Sequence, residues 1–313
     1  MARKPRKAVV DFAVYFAVRM AIAIVQALPS PLPFKLAEFL GWLSHRVDRR
    51  HRLVAEENIR FAFPELAADP VRVDRLVRAS YRHIALMAVE IALLPRKMHR
   101  SAWRGYYAVD RGMKLLAPLF AERPALFVTA HFGNWEFGGW QIGLFGFHTH
   151  AIARVLDNSR LERFLKRFRQ ATGQTIIAKK DDFERLMEVL RLGGKVALLA
   201  DQDAGPRGVF VDFFGRPAST HKAVALLAMQ FDAPLVVFSV SRTAEPMFYS
   251  LVCDEVIDPR EYSGPDAVKA ITQRYTTALE RMIRNHPEQY FWFHRRWKHQ
   301  PAVRGKKPMR EAA

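Results

Sequence analysis

Between residues 125 and 256 the chain keeps setting a short, unbroken apolar run beside a stretch of helical patterning. The runs are "ALFVTA" (125–130), "HAIARV" (150–155), "TIIAK" (175–179), "KVALLA" (195–200), "APLVVFSVS" (233–241) and "MFYSLVCDEV" (247–256). A strand with water on one face alternates polar and apolar residues; these mostly do not, so they suit strands covered on both faces. Helical patterning at about 134–145, 158–171, 181–192, 220–231 and 265–285 supplies the crossovers that parallel pairing requires. The fold class this predicts is α/β, with a mostly parallel central sheet flanked by helices. In such sheets ligands gather at the carboxyl ends of the strands. His131 follows one such end directly, and Asp201 follows another.

Residues 9 to about 100 carry a 3.6-residue period instead, in "PFKLAEFLGWLSHRV", "RRHRLVAEENIRFAF" and "ADPVRVDRLVRASYRHIALMAVEIALL", the last ending at Pro95. The chain thus divides into an N-terminal basic and apolar segment, 1–30, and a single domain, 31–313. That domain is helical over 31–100 and α/β over 101–300, with a short basic tail. In the first segment "MARKPRK" precedes "AVVDFAVYFAVRMAIAIVQALPSPLP". Asp11 and Arg19 interrupt the apolar stretch and weigh against a cleaved secretory signal. Phe12 to Leu28 would make a helix of about 26 Å, short of a hydrocarbon core of ~30 Å. Basic residues stand on both sides, so charge asymmetry selects no orientation. An interfacial helix or a short membrane anchor fits this pattern, with a buried core helix as the alternative.

The formal net charge is +18, from 49 Lys and Arg against 31 Asp and Glu, which favours polyanionic partners. The single cysteine, Cys253, rules out an intrachain disulfide and a cysteine-based zinc site, and reads as a small core residue.

In "HFGNWE" (131–136), Gly133 allows a tight turn and Asn134 is a good helix N-cap. Glu136, in the first turn, would then reach back to His131, fixing its tautomer and leaving the other ring nitrogen as a base. The alternative is a capping glutamate near a structural histidine. No third ligand accompanies these two, so no metal site is expected, and His148 and His150 read as loop. In "DQDAGPRGVFVDFFGRPAST", Asp201 and Asp203 leave a strand end, and Ser219 or Thr220 opens a helix. Phe210, Phe213 and Phe214 suit either core or the wall of an apolar pocket. Arg160, Arg163, Lys166, Arg167 and Arg169 form a basic helical run, a solvated face or a phosphate-neutralising flank. The ending "PEQYFWFHRRWKHQP" mixes aromatics with cations, which suits a membrane interface or a phosphate-bearing headgroup. Stacking on single-stranded nucleic acid would need a motif the chain lacks, and no nucleic-acid partner is expected.

Taken together, "HFGNWE", the aspartate loop, the aromatic ending and "RRHRLVAEENIRFAFPEL" resemble the late acyltransferases of lipid A biosynthesis. Those lauroyl and myristoyl transferases are relatives of the mycobacterial phosphatidylinositol mannoside acyltransferases. The resemblance spans nearly the whole chain. It implies a membrane-associated enzyme moving a fatty acyl chain from acyl carrier protein to a glycolipid hydroxyl, with no covalent intermediate and no cofactor. The acyl donor would be the acyl carrier protein thioester or acyl-CoA. It implies His131 as general base and Glu136 as its orienting partner. Arg169, Arg154, Asp201 and Asp203 would bind substrate, with an Arg–Asp contact shaping the site. Implied partners are acidic acyl carrier protein, a phosphorylated glycolipid and the anionic surface of the inner membrane, with the site facing the cytoplasm. Gln202 stands where relatives often carry an aromatic residue or histidine, which leaves the acceptor open. Phosphatidylinositol mannosides and glycerophospholipids are the alternative acceptors. A non-catalytic membrane- or nucleic-acid-binding protein is the rival class.

Overall fold

A computed structural model of the protein describes residues 8–99, 101–110, 112–178 and 182–301. Four helices come first: α1 (Ala8–Ala27), α2 (Leu32–Val47), α3 (Arg49–Ala62) and α4 (Pro70–Lys97). Then follow β1 (Tyr107–Asp110), α5 (Gly112–Phe120), β2 (Ala125–Thr129), α6 (Trp135–Leu144), β3 (Thr149–Ala153) and α7 (Ser159–Gln170). The chain continues through β4 (Gln174–Ala178), α8 (Phe183–Arg191), β5 (Lys195–Leu199), β6 (Val209–Phe213), β7 (Arg216–Thr220) and α9 (Ala223–Gln230). It closes with β8 (Leu235–Arg242), β9 (Tyr249–Ile257) and α10 (Ala267–Asn285). Residues 179 and 181, expected at a strand end and a helix start, lie outside the described residues, as do the basic start and most of the basic tail.

Among the described residues the main sheet has seven strands, in the order β1-β9-β8-β2-β5-β3-β4. All its pairings are parallel except β8 with β9. The unbroken apolar runs lie at its centre, every residue of β2 and β8 being buried. Alternate residues feed separate cores. Leu126, Val128 and Val237 join a cluster that includes residues of α3, α8, α9 and α10. Phe127, Val236 and Phe238 join one with residues of α2, α5 and α6. Helix α4 contributes to both, which makes it the brace between the helical third and the sheet. Asp69 caps α4 by accepting from the backbone N–H groups of Val71 and Arg72. The helix runs two residues past Pro95 before it ends.

Two expectations change. Residues 209–220 form a two-stranded antiparallel hairpin, so Ser219 and Thr220 close β7 and the helix waits until Ala223. Of the two alternatives for the phenylalanines, Phe213 and Phe214 take the core, and Phe210 is half-buried. The aromatic ending also belongs to the interior: Tyr290, Trp292 and Trp297 are buried and pack with Phe63, Phe213 and Phe214. Cys253 is fully buried on β9, as its setting suggested.

Candidate active site

Strand β2 ends at Thr129, and the chain must turn at once to start α6. Gly133 makes this possible with φ of +61°; a Cβ there would lie 2.0 Å from the carbonyl oxygen of Val240. Asn134 caps α6 by accepting from the N–H of Phe137 at 3.1 Å. His131 is held at the apex by its own backbone: its carbonyl accepts from the N–H of Phe291 at 2.9 Å. Two residues on, the Gly133 N–H donates to the Gln289 carbonyl at 3.0 Å. The "PEQYF" segment is thus laced along the strand-to-helix turn. Asn58 holds the residues that follow it, donating to the carbonyls of Trp292 and His294 at 2.7 Å each.

The partner of the imidazole is Asp201. Strands β2 and β5 pair in parallel with Thr129 opposite Leu199, so the residues two steps on, His131 and Asp201, leave the sheet side by side. Nδ1–H of His131 donates to Oδ1 of Asp201 at 2.8 Å, and the His131 backbone N–H donates to Oδ2 at 3.0 Å. Two donors on one carboxylate fix both the ring's tautomer and its plane. Asp201 is fully enclosed, while 18% of the His131 side chain stays exposed. Nε2 has no hydrogen-bond partner among the described residues. Trp135 and Phe291 flank the ring at 5.2 and 6.1 Å between centroids. In its neutral form the imidazole has one nitrogen anchored and the other offering a lone pair.

Electrostatics draw a proton toward the ring. Burial pushes the His131 pKa down, but the Asp201 carboxylate and the field of Glu136 more than offset it, so the net shift is upward. Burial would raise the pKa of Asp201, yet His131, His294 and the His131 N–H hold it well below the usual carboxylate range. Asp201 is therefore an anion whose proximity favours a protonated imidazole.

Glu136 does not bond the ring. It lies in the first turn of α6 and forks with Arg169 from the last turn of α7: Nε donates to Oε2 at 2.9 Å and Nη2 donates to Oε1. A guanidinium in bidentate range is a stronger partner for a carboxylate than a neutral imidazole. The expected pairing is corrected accordingly: the carboxylate on His131 is Asp201, and the arginine contact at the site is Arg169–Glu136 rather than Arg–Asp. Asp203 accepts from Nδ1 of His299 at 2.7 Å and from the Gly205 N–H at 3.1 Å, tying the loop to the C-terminal segment. Arg154 stands apart: its side chain is mostly exposed and meets Asp157 only at 3.9 Å. Among the described residues no group of three or more His, Cys, Asp or Glu is placed to hold a metal ion.

A buried network lies behind the turn, joining residues far apart in sequence. Arg242, at the end of β8, donates Nε to Oε1 of Glu90 at 2.5 Å and Nη2 to Oε2 at 2.7 Å. Its Nη1 donates to Nδ1 of His83 at 2.9 Å, so His83 carries its proton on Nε2, which donates to the Gly133 carbonyl at 3.2 Å. Burial and the Arg242 cation push the His83 pKa down to about 3, consistent with a neutral ring. Asn134 joins through Nδ2, which donates to the Tyr249 hydroxyl at 3.0 Å. The glycine and asparagine that shape the His131 turn are thus both fixed from beneath. A sequence signal did exist: Ser80, His83, Met87, Glu90 and Leu94 share one face of α4 and all are buried. A buried ionisable residue on such a face must find a partner.

The family model described as bacterial lipid A biosynthesis acyltransferase matches residues 1–299. The chain is 28% identical to the lipid A biosynthesis lauroyltransferase of Escherichia coli (strain K12) over 284 residues, 89% of each chain. It is 24% identical to the lipid A biosynthesis palmitoleoyltransferase of the same organism, across 88% of this chain and 87% of the relative. Similarity to the phosphatidylinositol mannoside acyltransferase of Mycobacterium tuberculosis (strain CDC 1551 / Oshkosh) is 32% over 178 residues, 55% of this chain and 56% of that one.

Proposed function

Because this chain belongs to the bacterial lipid A biosynthesis acyltransferase family, we propose that it moves a fatty acyl chain from the thioester of acyl carrier protein to a hydroxyl of a lipid A precursor. The observation that carries the chemistry is the imidazole of His131, anchored through Nδ1 on Asp201 and, among the described residues, without a partner at Nε2. In the reaction, Nε2 takes the proton of the acceptor hydroxyl as its oxygen attacks the thioester carbonyl. The tetrahedral intermediate collapses, the carbon–sulfur bond breaks, and the imidazolium returns the proton to the leaving thiolate. No acyl group rests on the protein. Asp201 keeps the ring in the productive tautomer and stabilises the imidazolium; Glu136 adds to that through its field. Such a base contributes ~10²–10⁴-fold, the rest coming from positioning and oxyanion stabilisation.

Arg169, fixed by Glu136, has donors left for a substrate oxygen, and the exposed basic residues of α7 beside it suit a phosphorylated acceptor. Arg154 would meet that acceptor from solvent. Asp203 acts through His299 by holding the loop that follows Asp201. The surplus of +18 favours encounter with an acidic carrier protein and with the anionic inner membrane, on whose cytoplasmic side the acyl carrier would be met. Coverage supports lipid A over other acceptors, since similarity to the two E. coli enzymes runs through nearly the whole chain. A second reading, acylation of a phosphatidylinositol mannoside, rests on the higher identity of the mycobacterial relatives across about half of it.

The test is a purified-protein assay with acyl carrier protein loaded with a single fatty acid, presented in parallel with a lipid A precursor and a phosphatidylinositol mannoside. Mass spectrometry should find one added acyl group on the lipid A precursor. Acylation of the mannoside alone selects the second reading, and no acylated lipid from either acceptor refutes both.

A further inference from the structure

Helix α1 is apolar enough and, at 20 residues, long enough to cross a membrane on its own, yet its packing points elsewhere. Its polar residues Asp11, Tyr15, Arg19 and Gln26 share one stripe; Asp11, Tyr15 and Gln26 are half-buried, and Arg19, though exposed, reaches over α7. Asn158, the cap of α7, donates to the Asp11 carbonyl at 2.8 Å. Two reciprocal cation–π contacts follow: Arg160 lies 5.3 Å from the Phe12 ring, and Arg19 lies 5.0 Å from the Phe164 ring. At the other end, Gln26 donates to the carbonyl of Ala92 at 2.7 Å, and Arg96 donates to the carbonyl of Gln26 at 2.9 Å. The attachments run from Asp11 to Gln26, about 22 Å at ~1.5 Å per residue. The polar body therefore lies alongside most of the helix. A perpendicular span would carry α7, with exposed Arg160, Arg163, Lys166 and Arg167, into hydrocarbon, where charge is strongly disfavoured.

The opposite side of α1 is a continuous apolar surface: Val9, Phe16, Met20 and Ile24 are all exposed. Helix α2, which follows after a short turn, repeats the arrangement. Pro33, Ala37, Gly41 and His45 are buried, and Gly41 lies so close to α4 that a Cβ would sit 2.7 Å from Cα of Arg82. The outer face exposes Phe39, Leu40, Trp42, Leu43 and Val47. Phe39 and Trp42 stack at 5.8 Å, and Arg46 lies 5.2 Å over Trp42. Arg46, Arg49 and Arg50 are exposed at its C-terminal end. Aromatic rings, aliphatic side chains and a basic rim match the boundary between acyl chains and anionic headgroups.

From this packing we infer that α1 lies in the plane of one leaflet without crossing it, and that the outer face of α2 is a second contact with the same anionic lipid surface. This rests on the proposed function as a membrane-bound acyltransferase. It places the N-terminus on the same side of the membrane as the catalytic body.

Cysteine labelling tests it on the full-length protein in its bacterial membrane. Native Cys253 is buried, so a membrane-impermeant maleimide reads only introduced thiols. Three single variants serve: Ala2→Cys before α1, Lys269→Cys on the exposed surface of α10, and Phe39→Cys on α2. Ala2→Cys and Lys269→Cys should both stay unlabelled in intact spheroplasts and both react in inverted vesicles. Opposite sidedness of these two sites would establish a span and overturn the inference. Phe39→Cys should react at least tenfold more slowly than Lys269→Cys in inverted vesicles; equal rates would remove α2 from the membrane surface. Transfer by the same variants in detergent is read separately, so the orientation and the reaction can fail independently.

Discussion

Replacing Asp201 by Asn removes one charge from the site and almost no volume, and the hydrogen bonds around it dictate the outcome. The carboxylate accepts two hydrogen bonds from His131, from the backbone N–H at 3.0 Å and from Nδ1–H at 2.8 Å. An asparagine offers one acceptor oxygen and one donor nitrogen. The backbone N–H can only donate, so the amide oxygen goes to it and the NH₂ group faces Nδ1. The ring must then accept at Nδ1 and hold its proton on Nε2, where the base's lone pair is needed. The lost charge also removes a charge-assisted bond to the imidazolium, worth ~1.5–3 kcal/mol. Wrong tautomer and lost charge together should lower kcat by ~10²–10⁴-fold, equivalent to roughly 3–5 kcal/mol of barrier. The pH profile must move as well. The base works when neutral, so the rate rises with pH through the His131 pKa, which the Asp201 and Glu136 carboxylates raise in the native site despite burial. Without Asp201 that acidic limb should shift to lower pH beneath a lower plateau. The assay is initial transfer rate from acyl carrier protein to lipid acceptor between pH 5 and 9, with circular dichroism confirming the fold. An Asp201→Asn enzyme within threefold of the native kcat, with its acidic limb unmoved, would refute the pairing.

Glu136→Gln separates the two carboxylates. It breaks the fork on Arg169 while leaving the His131–Asp201 bonds intact, so KM for the lipid acceptor should rise about tenfold. The acidic limb should move down by less than in Asp201→Asn, and kinetics of both variants on one acceptor decide this. The His83 network makes a stability prediction. Its folded pKa of about 3 lies below the ordinary 6.5, so below pH 6.5 the unfolded state takes up a proton that the native state refuses. Stability contributed by the neutral ring is then whole above pH 6.5 and is lost as pH falls toward 3, by up to about 1.4 kcal/mol per pH unit. Chemical denaturation of His83→Gln, which keeps a donor for Gly133 and an acceptor for Arg242, should show a flatter decline between pH 6.5 and 4; an unchanged slope contradicts the neutral buried ring.

The central sheet was legible because β2 and β8 are buried on both faces, and that demand writes itself into sequence as unbroken apolar runs. Strand β1 is only four residues and left no such run. Antiparallel β9 could have been read: the segment from β8 to β9 is hairpin length, too short for the crossover a parallel neighbour needs. The β6–β7 hairpin hid behind aromatic density, its turn being set by Phe214 and Gly215 with φ of 57° and 73°. At the site, His131 and Asp201 were each visible as the residue after a strand end, but their pairing depends on the β2–β5 register, which one-dimensional spacing does not carry. Nearness in sequence matches Glu136 to His131. The fold instead brings Arg169 to it from the end of another helix, and the stronger electrostatic partner prevails. Glu90 and Arg242 lie 152 positions apart; only the buried face of α4 hinted that a partner was required.

The central claim is that Nε2 of His131 removes the acceptor proton in a direct transfer. The most direct measurement is single-turnover acyl transfer by a correctly folded His131→Ala enzyme, saturated with acyl carrier protein thioester and lipid acceptor, beside the native enzyme. A rate at least ~10²-fold lower, with no acylated protein in the native sample by intact-mass spectrometry, is the predicted result. A rate within tenfold of native, or an acyl-enzyme that forms and decays at the rate of turnover, would contradict it.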